Sequence, residues 1–150
     1  MSLENWAEQL APPIGIGIDL VSVPELRKLD QRTRGAFSRR TFTDWELAES
    51  ELSQDSWVYL AGRFAVKEAV FKAVAHLLPE KSFDFRLVET LRQPDGAPQI
   101  VCSPALRAVL DSANVGSLLV SISNEADFAV AMVQALEKRN RKELPYHASR

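Results

Sequence analysis

The chain has 150 residues, of which 46% are hydrophobic and 25% are charged, and its formal net charge is −2. Such values are typical of one soluble globular domain and argue against a nucleic-acid binder, and no apolar run approaches the roughly 18 residues of a membrane span. The start of the chain lacks the basic residues of a secretory signal and the single cysteine, Cys102, excludes an internal disulfide, so we expect a cytoplasmic protein.

Hydrophobic periodicity and turn residues predict one domain over 14–136, between an amphipathic lead-in over 1–13 and a basic tail over 137–150. In chain order we predict a strand over 14–20, a helix after Pro24, helices over 43–52 and 56–76, an extended stretch over 83–91, a strand over 99–102, a helix over 103–114, and strands over 118–123 and 128–136. This order favours an α+β domain with a mainly antiparallel sheet and a long central helix.

Capping residues mark three of the helix starts. Thr43 followed by Glu46 matches a capping box, and Ser56 is a candidate cap of the long helix. Ser103 precedes a proline, which suits the first position of a helix.

Asp19 lies in the first strand, in which isoleucines alternate with glycines. It shares a face with Gly15 and Gly17, which have no side chains and leave room for a backbone or a ligand to approach closely. From this segment alone, the simpler interpretation is an aspartate that caps a turn or the following helix.

Glu68 lies on the long helix beside small apolar residues rather than on a charged face. A carboxylate in such surroundings is costly unless a cation or a strong donor meets it. Lys72, one turn later, could form an ordinary structural pair with it. The alternative is that Asp19 and Glu68 converge on a divalent cation, since two carboxylates with water and substrate phosphate are the usual way to hold Mg²⁺.

Basic residues accompany these carboxylates. Arg63, Lys67 and Lys72 share the helix of Glu68, as a diphosphate substrate would require, although a solvated basic stripe would produce the same pattern. The segment 27–40 carries six basic residues and one acid and would suit an acidic partner, unless it is an ordinary charged surface.

Two segments carry further information as whole motifs: GIGIDLVSVPEL at 15–26 and AGRFAVKEAVFKAV at 61–74. Together they resemble the acyl-carrier-protein synthase group of the 4′-phosphopantetheinyl transferases, and the second contains that family's pattern W/F-x-x-K-E-x-x-x-K-A. The segments AFSRRTFTDWEL, PDGAPQIV and VSISNEADFAVAMV resemble other parts of the family, so the likeness extends from about residue 15 to 136.

The resemblance implies the fold of these transferases and their reaction, in which 4′-phosphopantetheine passes from coenzyme A to a serine of an apo acyl carrier protein and 3′,5′-ADP leaves. It implies that Asp19 and Glu68 bind Mg²⁺ and that Lys72 contacts the coenzyme A phosphates. Arg63 and Lys67 are expected near the same ligand. We expect Glu68 also to accept the proton of the serine.

The resemblance also predicts an assembly. Short members of the family are homotrimers with active sites between subunits, and Val21, where longer monomeric members carry a third metal-binding acid, favours the short class. The basic segment 27–40 is then expected to receive the acidic carrier protein.

Two positions depart from the family pattern. Asn124 stands where relatives commonly have a histidine that helps to bind the coenzyme, and an amide can form hydrogen bonds there but cannot titrate. Glu25 stands where relatives place an arginine, with Arg27 two residues later, which leaves the choice of carrier protein open.

Two other functions remain open from the sequence. Asn124 also suits a family member that binds coenzyme A or a carrier protein with weak or lost catalysis, although the intact Asp19 and Glu68 argue against it. A Mg²⁺-dependent phosphohydrolase acting on a nucleotide would use the same carboxylates and lysines, but it has no need of the basic residues before Arg40.

Overall fold

The computed structural model describes residues 11–139. In chain order its elements are β1 (Pro13–Ser22), α1 (Val23–Arg32), α2 (Ala36–Thr41), α3 (Asp44–Leu52), α4 (Ser56–Val74), a 3₁₀ turn (Phe85–Leu87), β2 (Glu89–Arg92), β3 (Pro98–Val101), α5 (Pro104–Ser112), β4 (Val115–Glu125) and β5 (Phe128–Glu137). The predicted α+β class, with its antiparallel strands and long central helix, is confirmed.

The strands form two antiparallel sheets. β5 lies between β1 and β4 in a three-stranded sheet, and β2 pairs with β3 in a separate hairpin. The long helix α4 packs across one face of the larger sheet and contacts all three of its strands. In this arrangement Asp19 lies on the outer strand β1 and is paired with Ala131 of the central strand β5.

Small side chains dominate the contact between α4 and the sheet. Both surfaces contribute fully buried alanines, which are Ala61, Ala65, Ala69 and Ala73 on the helix and Ala129, Ala131 and Ala135 on β5. Because these side chains are short, the helix can lie unusually close to the strands.

The closest approach is at the glycines of β1. A Cβ atom at Gly15 would lie 1.9 Å from the carbonyl oxygen of Ala73, and one at Gly17 would lie 1.9 Å from that of Ala69. The expectation that a backbone approaches the glycine face is thus confirmed, and the backbone is that of α4. The opposite face of β1 is exposed and carries Ile16, Ile18 and Leu20.

The capping box of α3 is confirmed, and so is the cap of α5 by Ser103. The predicted cap of α4 is wrong by one residue. The carboxylate of Asp55 accepts hydrogen bonds from the first amides of the helix, whereas the hydroxyl of Ser56 donates to the carbonyl oxygen of Ser50. The helix ends at Val74, two residues before the predicted end at His76.

Two other elements differ from the prediction. The stretch 83–91, expected to be extended, begins with a 3₁₀ turn because Asp84 accepts a hydrogen bond from the amide of Arg86, a bond that folds the chain locally. The short helix α2 was not predicted. Its Ser38 amide donates to the carboxylate of Asp30 at 2.9 Å, a contact that no local pattern indicates.

The predicted ends of the chain lie largely outside the described residues. β1 begins at Pro13 and β5 ends at Glu137, next to the predicted domain limits of 14 and 136, which stay a prediction. Within residues 11–139, no helix combines the length and hydropathy that crossing a membrane requires.

We expect Gly17→Ala to lower the free energy of unfolding by about 3 kcal/mol or more, at the upper end of the usual cost of overpacking. The reason is that the new methyl group would meet the backbone of α4, which cannot rotate away. The matched control is Gly62→Ala in α4, whose Cβ would lie 3.4 Å from Ile122 in ordinary contact. Urea unfolding compares the two variants, and equal losses of stability would contradict the close contact.

Candidate active site

The close packing of α4 on β1 places Asp19 beside the helix. Asp19 follows Gly17 on the same face of the strand, and its side chain is only 17% exposed. The ammonium of Lys72, on α4, lies 2.7 Å from Asp19 Oδ1 and donates a second hydrogen bond to the carbonyl oxygen of Ile18 at 3.1 Å. The sequence also allowed Lys72 to pair with Glu68 one turn earlier. In the structure Lys72 pairs with Asp19 instead.

Glu68 shares the electrostatic environment of this pair. Burial raises the pKa of the Glu68 carboxyl, the negative charge of Asp19 raises it further, and the positive charge of Lys72 acts in the opposite direction. Asp19, Glu68 and Lys72 therefore lie close enough to influence one another, although they are up to 53 residues apart in sequence.

These three residues are called the acid–lysine cluster below. Among the described residues there is no group of three or more histidines, cysteines or acids that could hold a metal ion. A cation at the cluster would thus have at most two carboxylates from one chain. That number suits Mg²⁺, which usually keeps several waters and binds substrate phosphates, and the Lys72 ammonium already occupies the position of a cation beside Asp19.

Lys67 lies elsewhere, in the protein interior. Its side chain and that of Glu46 are both fully buried, and the two form an ion pair of 2.7 Å. The Lys67 ammonium also donates to the carbonyl oxygens of Phe85 and Val88, so its three protons all have acceptors. Burial lowers the pKa of Lys67, and the charge of Glu46 opposes this shift. The expectation that Lys67 contacts a ligand does not fit this placement.

Glu46 extends the same network. It accepts hydrogen bonds from the amides of Thr43 and Thr90, at 3.1 and 3.2 Å. Through Lys67 and Glu46, α4 is thereby joined to the start of α3, to the 3₁₀ turn and to β2. Lys67 therefore holds together the elements around the site and is separate from the acid–lysine cluster.

Arg63 and Asn124, the other two predicted ligand residues, line one groove. Its cavity is about 700 Å³ and lies between α3, α4, the β2–β3 hairpin and the end of β4. Arg63 is only 8% exposed, and its Nε atom has no hydrogen-bond partner among the described residues. Because Arg63 also lines the groove, its guanidinium brings a positive charge beside the cavity, which suits an anionic ligand.

Two residues of the groove were missed by the sequence analysis. The guanidinium carbon of Arg63 lies 4.3 Å from the centre of the Tyr59 ring, a cation–π contact. Tyr59 and Arg63 are four residues apart on one helix, and this spacing could have predicted their contact. Arg92, from the hairpin, also lines the groove, and no local pattern connects it with Arg63.

The groove and the acid–lysine cluster are separate sites within one chain. None of the three cluster residues lines the groove. Arg63 and Glu68 are five residues apart on α4, which at 3.6 residues per turn directs them about 140° apart around the helix. One chain thus presents two half-sites on different sides of the same helix.

The basic segment 27–40 is exposed around α1 and α2. Its only acid, Asp30, accepts a hydrogen bond from the Ser38 amide, and six basic residues outnumber this one acid. The exposed basic side chains are Arg27, Lys28, Arg32, Arg34, Arg39 and Arg40. This surface begins a few residues after Asp19, because β1 leads directly into α1.

The outer face of the three-stranded sheet exposes large apolar side chains mainly on β1 and β5, whereas β4 contributes Ser121 and Ser123 to this face. Ile18 is paired with Met132 across β1 and β5, and their side chains are 61% and 47% exposed. The other large apolar side chains of this face are Ile16, Leu20, Leu119 and Phe128. Exposed apolar side chains grouped on two neighbouring strands mark a candidate interaction surface.

Glu68→Gln is expected to stabilise the metal-free protein, and more at pH 8 than at pH 4. Because the pKa of Glu68 is raised in the folded protein, the wild type loses stability as pH rises from the ordinary carboxyl pKa through the raised value. Glutamine does not titrate and avoids this loss. Urea unfolding in a chelator measures the difference, with Glu51→Gln on the exposed surface of α3 as control, and a difference independent of pH would contradict the assigned environment.

Comparison with known proteins agrees with this geometry. Residues 15–133 match the 4′-phosphopantetheinyl transferase superfamily. A holo-[acyl-carrier-protein] synthase of Thermodesulfovibrio yellowstonii is 32% identical over 119 residues, which are 79% of this chain and 95% of that protein. The crystal structure of holo-[acyl-carrier-protein] synthase from Neisseria meningitidis has a TM-score of 0.75 at 32% identity, covering 84% of this chain and 100% of that chain.

A second solved structure adds a ligand. The holo-[acyl-carrier-protein] synthase of Helicobacter pylori, in complex with coenzyme A, has a TM-score of 0.67 at 32% identity and covers 80% of this chain and 98% of that chain. The matched region includes both half-sites and all five strands, except the first two residues of β1 and the last residues of β5. The chain therefore belongs to the 4′-phosphopantetheinyl transferase superfamily.

Proposed function

We propose that this protein transfers the 4′-phosphopantetheine group of coenzyme A to a serine of an apo acyl carrier protein. The serine oxygen forms a bond to the phosphorus next to pantetheine, the diphosphate bond breaks, and 3′,5′-ADP leaves. The observation that carries the proposal is the acid–lysine cluster, in a chain whose relatives are named holo-[acyl-carrier-protein] synthases.

The cluster suits a Mg²⁺ ion. Asp19 and Glu68 would hold it, and water and substrate phosphate would complete its coordination. When bound, Mg²⁺ neutralises the negative charge of the diphosphate as the bond breaks. The fit is supported by the ammonium of Lys72, which occupies the position of a cation at Asp19 in the protein alone.

The chain's own groups supply the remaining steps. The positive charge of Lys72 would stabilise the leaving diphosphate, whose charge increases as 3′,5′-ADP departs. Glu68 is our candidate for the base that takes the proton from the serine hydroxyl onto a carboxylate oxygen.

The groove suits the nucleotide part of coenzyme A. Its volume of about 700 Å³ is within the usual range for ligand pockets. The buried guanidinium of Arg63 would bind a phosphate or a ring acceptor, and the amide of Asn124 can donate or accept a hydrogen bond. As an amide, Asn124 would bind the ligand without transferring a proton.

A homotrimer would combine the two half-sites. The apolar outer face of the sheet supports self-association, since Ile18, Met132 and their neighbours are exposed in the single chain. In a closed ring each subunit repeats one heterologous contact. The groove of one subunit can then face the acid–lysine cluster of the next, so that one coenzyme A molecule contacts both.

The basic segment 27–40 would bind the carrier protein. Its exposed arginines and lysine would attract an acidic surface and steer it towards Asp19. A cytoplasmic location belongs to the same proposal and is supported by the unpaired, exposed Cys102, which suits a reducing compartment.

Asp19→Asn and Glu68→Gln are each expected to lower the rate of transfer by about 100-fold or more, because each removes a carboxylate that would hold the Mg²⁺ ion beside the diphosphate. The measurement is the intact mass of an apo carrier protein after incubation with enzyme, coenzyme A and Mg²⁺. The control is Glu51→Gln, outside both half-sites, which should retain the wild-type rate.

The same assay distinguishes the alternatives. A wild-type protein that binds coenzyme A but adds no mass to any of several carrier proteins would be a binding module. Release of phosphate or a nucleotide without a carrier protein would indicate a phosphohydrolase. Near wild-type transfer by Glu68→Gln would overturn the role given to the cluster.

Arg63→Ala and Glu68→Gln are each expected to inactivate the enzyme, but co-expression of the two variants should restore part of the activity. If each active site joins the groove of one subunit to the cluster of the next, one of the three sites in every mixed trimer contains no substitution. Separately tagged chains allow mixed rings to be purified and assayed. No recovery in rings shown to be mixed would mean that each site lies within one chain.

A further inference from the structure

Lys72 differs from a typical ligand-binding lysine in that its ammonium is already engaged. It contacts Asp19 Oδ1 at 2.7 Å and the carbonyl oxygen of Ile18 at 3.1 Å. The Lys72 side chain is 49% exposed, whereas that of Asp19 is 17% exposed. The charged end of a half-exposed chain is thus directed inward, onto the less accessible carboxylate.

The cluster contains two acids and one lysine. Asp19 and Glu68 both carry negative charge in a partly dehydrated place, which is unfavourable without a cation. Among the described residues, the only ion pair of Asp19 is with Lys72, and Glu68 has none. Lys72 therefore supplies the counter-charge while no other cation is present.

To bind a diphosphate substrate, the Lys72 ammonium has to be free of Asp19. An ammonium held by Asp19 has little charge left for phosphate oxygens, because a carboxylate neutralises it at short range. A divalent cation bound to Asp19 would take the place of the Lys72 ammonium at this carboxylate and would repel the lysine. The lysine side chain is long and flexible, and a partly exposed ion pair is weak, so the exchange meets little resistance.

We propose that Lys72 is an exchangeable counter-ion: its ammonium occupies Asp19 in the free protein, and the divalent cation displaces it, which releases the lysine to bind the substrate diphosphate. This inference rests on the proposed function. It makes Lys72 and the metal competitors for Asp19 in the free protein. The metal and the diphosphate then strengthen each other's binding, since each is favoured once Lys72 has left the carboxylate.

The chemical reactivity of the lysines tests the exchange without any turnover. The wild-type protein is acetylated briefly, with and without Mn²⁺ as the probe cation, and the modified lysines are identified by peptide mass spectrometry. We expect Mn²⁺ to increase the acetylation rate of Lys72 several-fold. Lys28, whose exposed pair with Glu25 is 2.9 Å long, should react equally in both samples, and the buried Lys67 should react in neither.

A variant without the aspartate provides the matched comparison. In Asp19→Asn, Lys72 has no carboxylate to leave, so it should react rapidly whether or not Mn²⁺ is present. In Lys72→Gln, Mn²⁺ should bind the coenzyme-free protein several-fold more tightly than it binds the wild type, and Lys28→Gln should leave that affinity unchanged. Electron paramagnetic resonance of free Mn²⁺ measures binding in the same samples.

The outcomes separate this inference from the proposed function. If Mn²⁺ binds the wild type while the reactivity of Lys72 and the affinity of Lys72→Gln stay unchanged, the exchange is overturned and the metal site stands. If Mn²⁺ does not bind the wild type even with coenzyme A present, both the exchange and the role of the cluster as a metal site are overturned.

Discussion

The contact between the glycine face of β1 and the backbone of α4 determines the rest of the site. A single methyl group at Gly17 would lie 1.9 Å from a helix carbonyl oxygen, so the two elements can meet at this distance only without side chains. One position further along the same face, the first side chain to appear is that of Asp19. The close approach brings this carboxylate within 2.7 Å of Lys72 on the helix.

Two lysines of α4, five residues apart, have opposite roles because their surroundings differ. Lys67 is fully buried, and all its protons are bound by Glu46 and two backbone carbonyl groups, so it can only hold the scaffold together. Losing one partner of such a pair would leave a buried charge without compensation. Lys72 is half exposed and shares a carboxylate that other cations could occupy. The buried Lys67 thus fixes the helix that also carries the half-exposed Lys72.

Much of the fold could be predicted from local patterns. The capping box at Thr43, the proline after Ser103 and the alternation of strand residues located most elements to within a few residues, because these features depend on hydrogen bonds and side chains near in sequence. Some errors involve hydrogen bonds between neighbouring elements, whereas the 3₁₀ turn depends on a local bond to Asp84 that was not predicted. α2 depends on Asp30 from the preceding helix, and the cap of α4 went to Asp55 because Ser56 is engaged by Ser50.

The sequence by itself determined the superfamily and the residue types of the site, since the two motifs carry an aspartate, a glutamate and three basic residues at characteristic spacings. Only the tertiary structure decided which of these residues meet. Spacing along α4 cannot tell that Lys67 points into the core, Lys72 towards β1 and Arg63 into a groove with Asn124, because each direction depends on which strand or turn packs against that side of the helix. The positions of the charged groups in the site therefore depend on how the strands and turns pack against α4, and not on the motif alone.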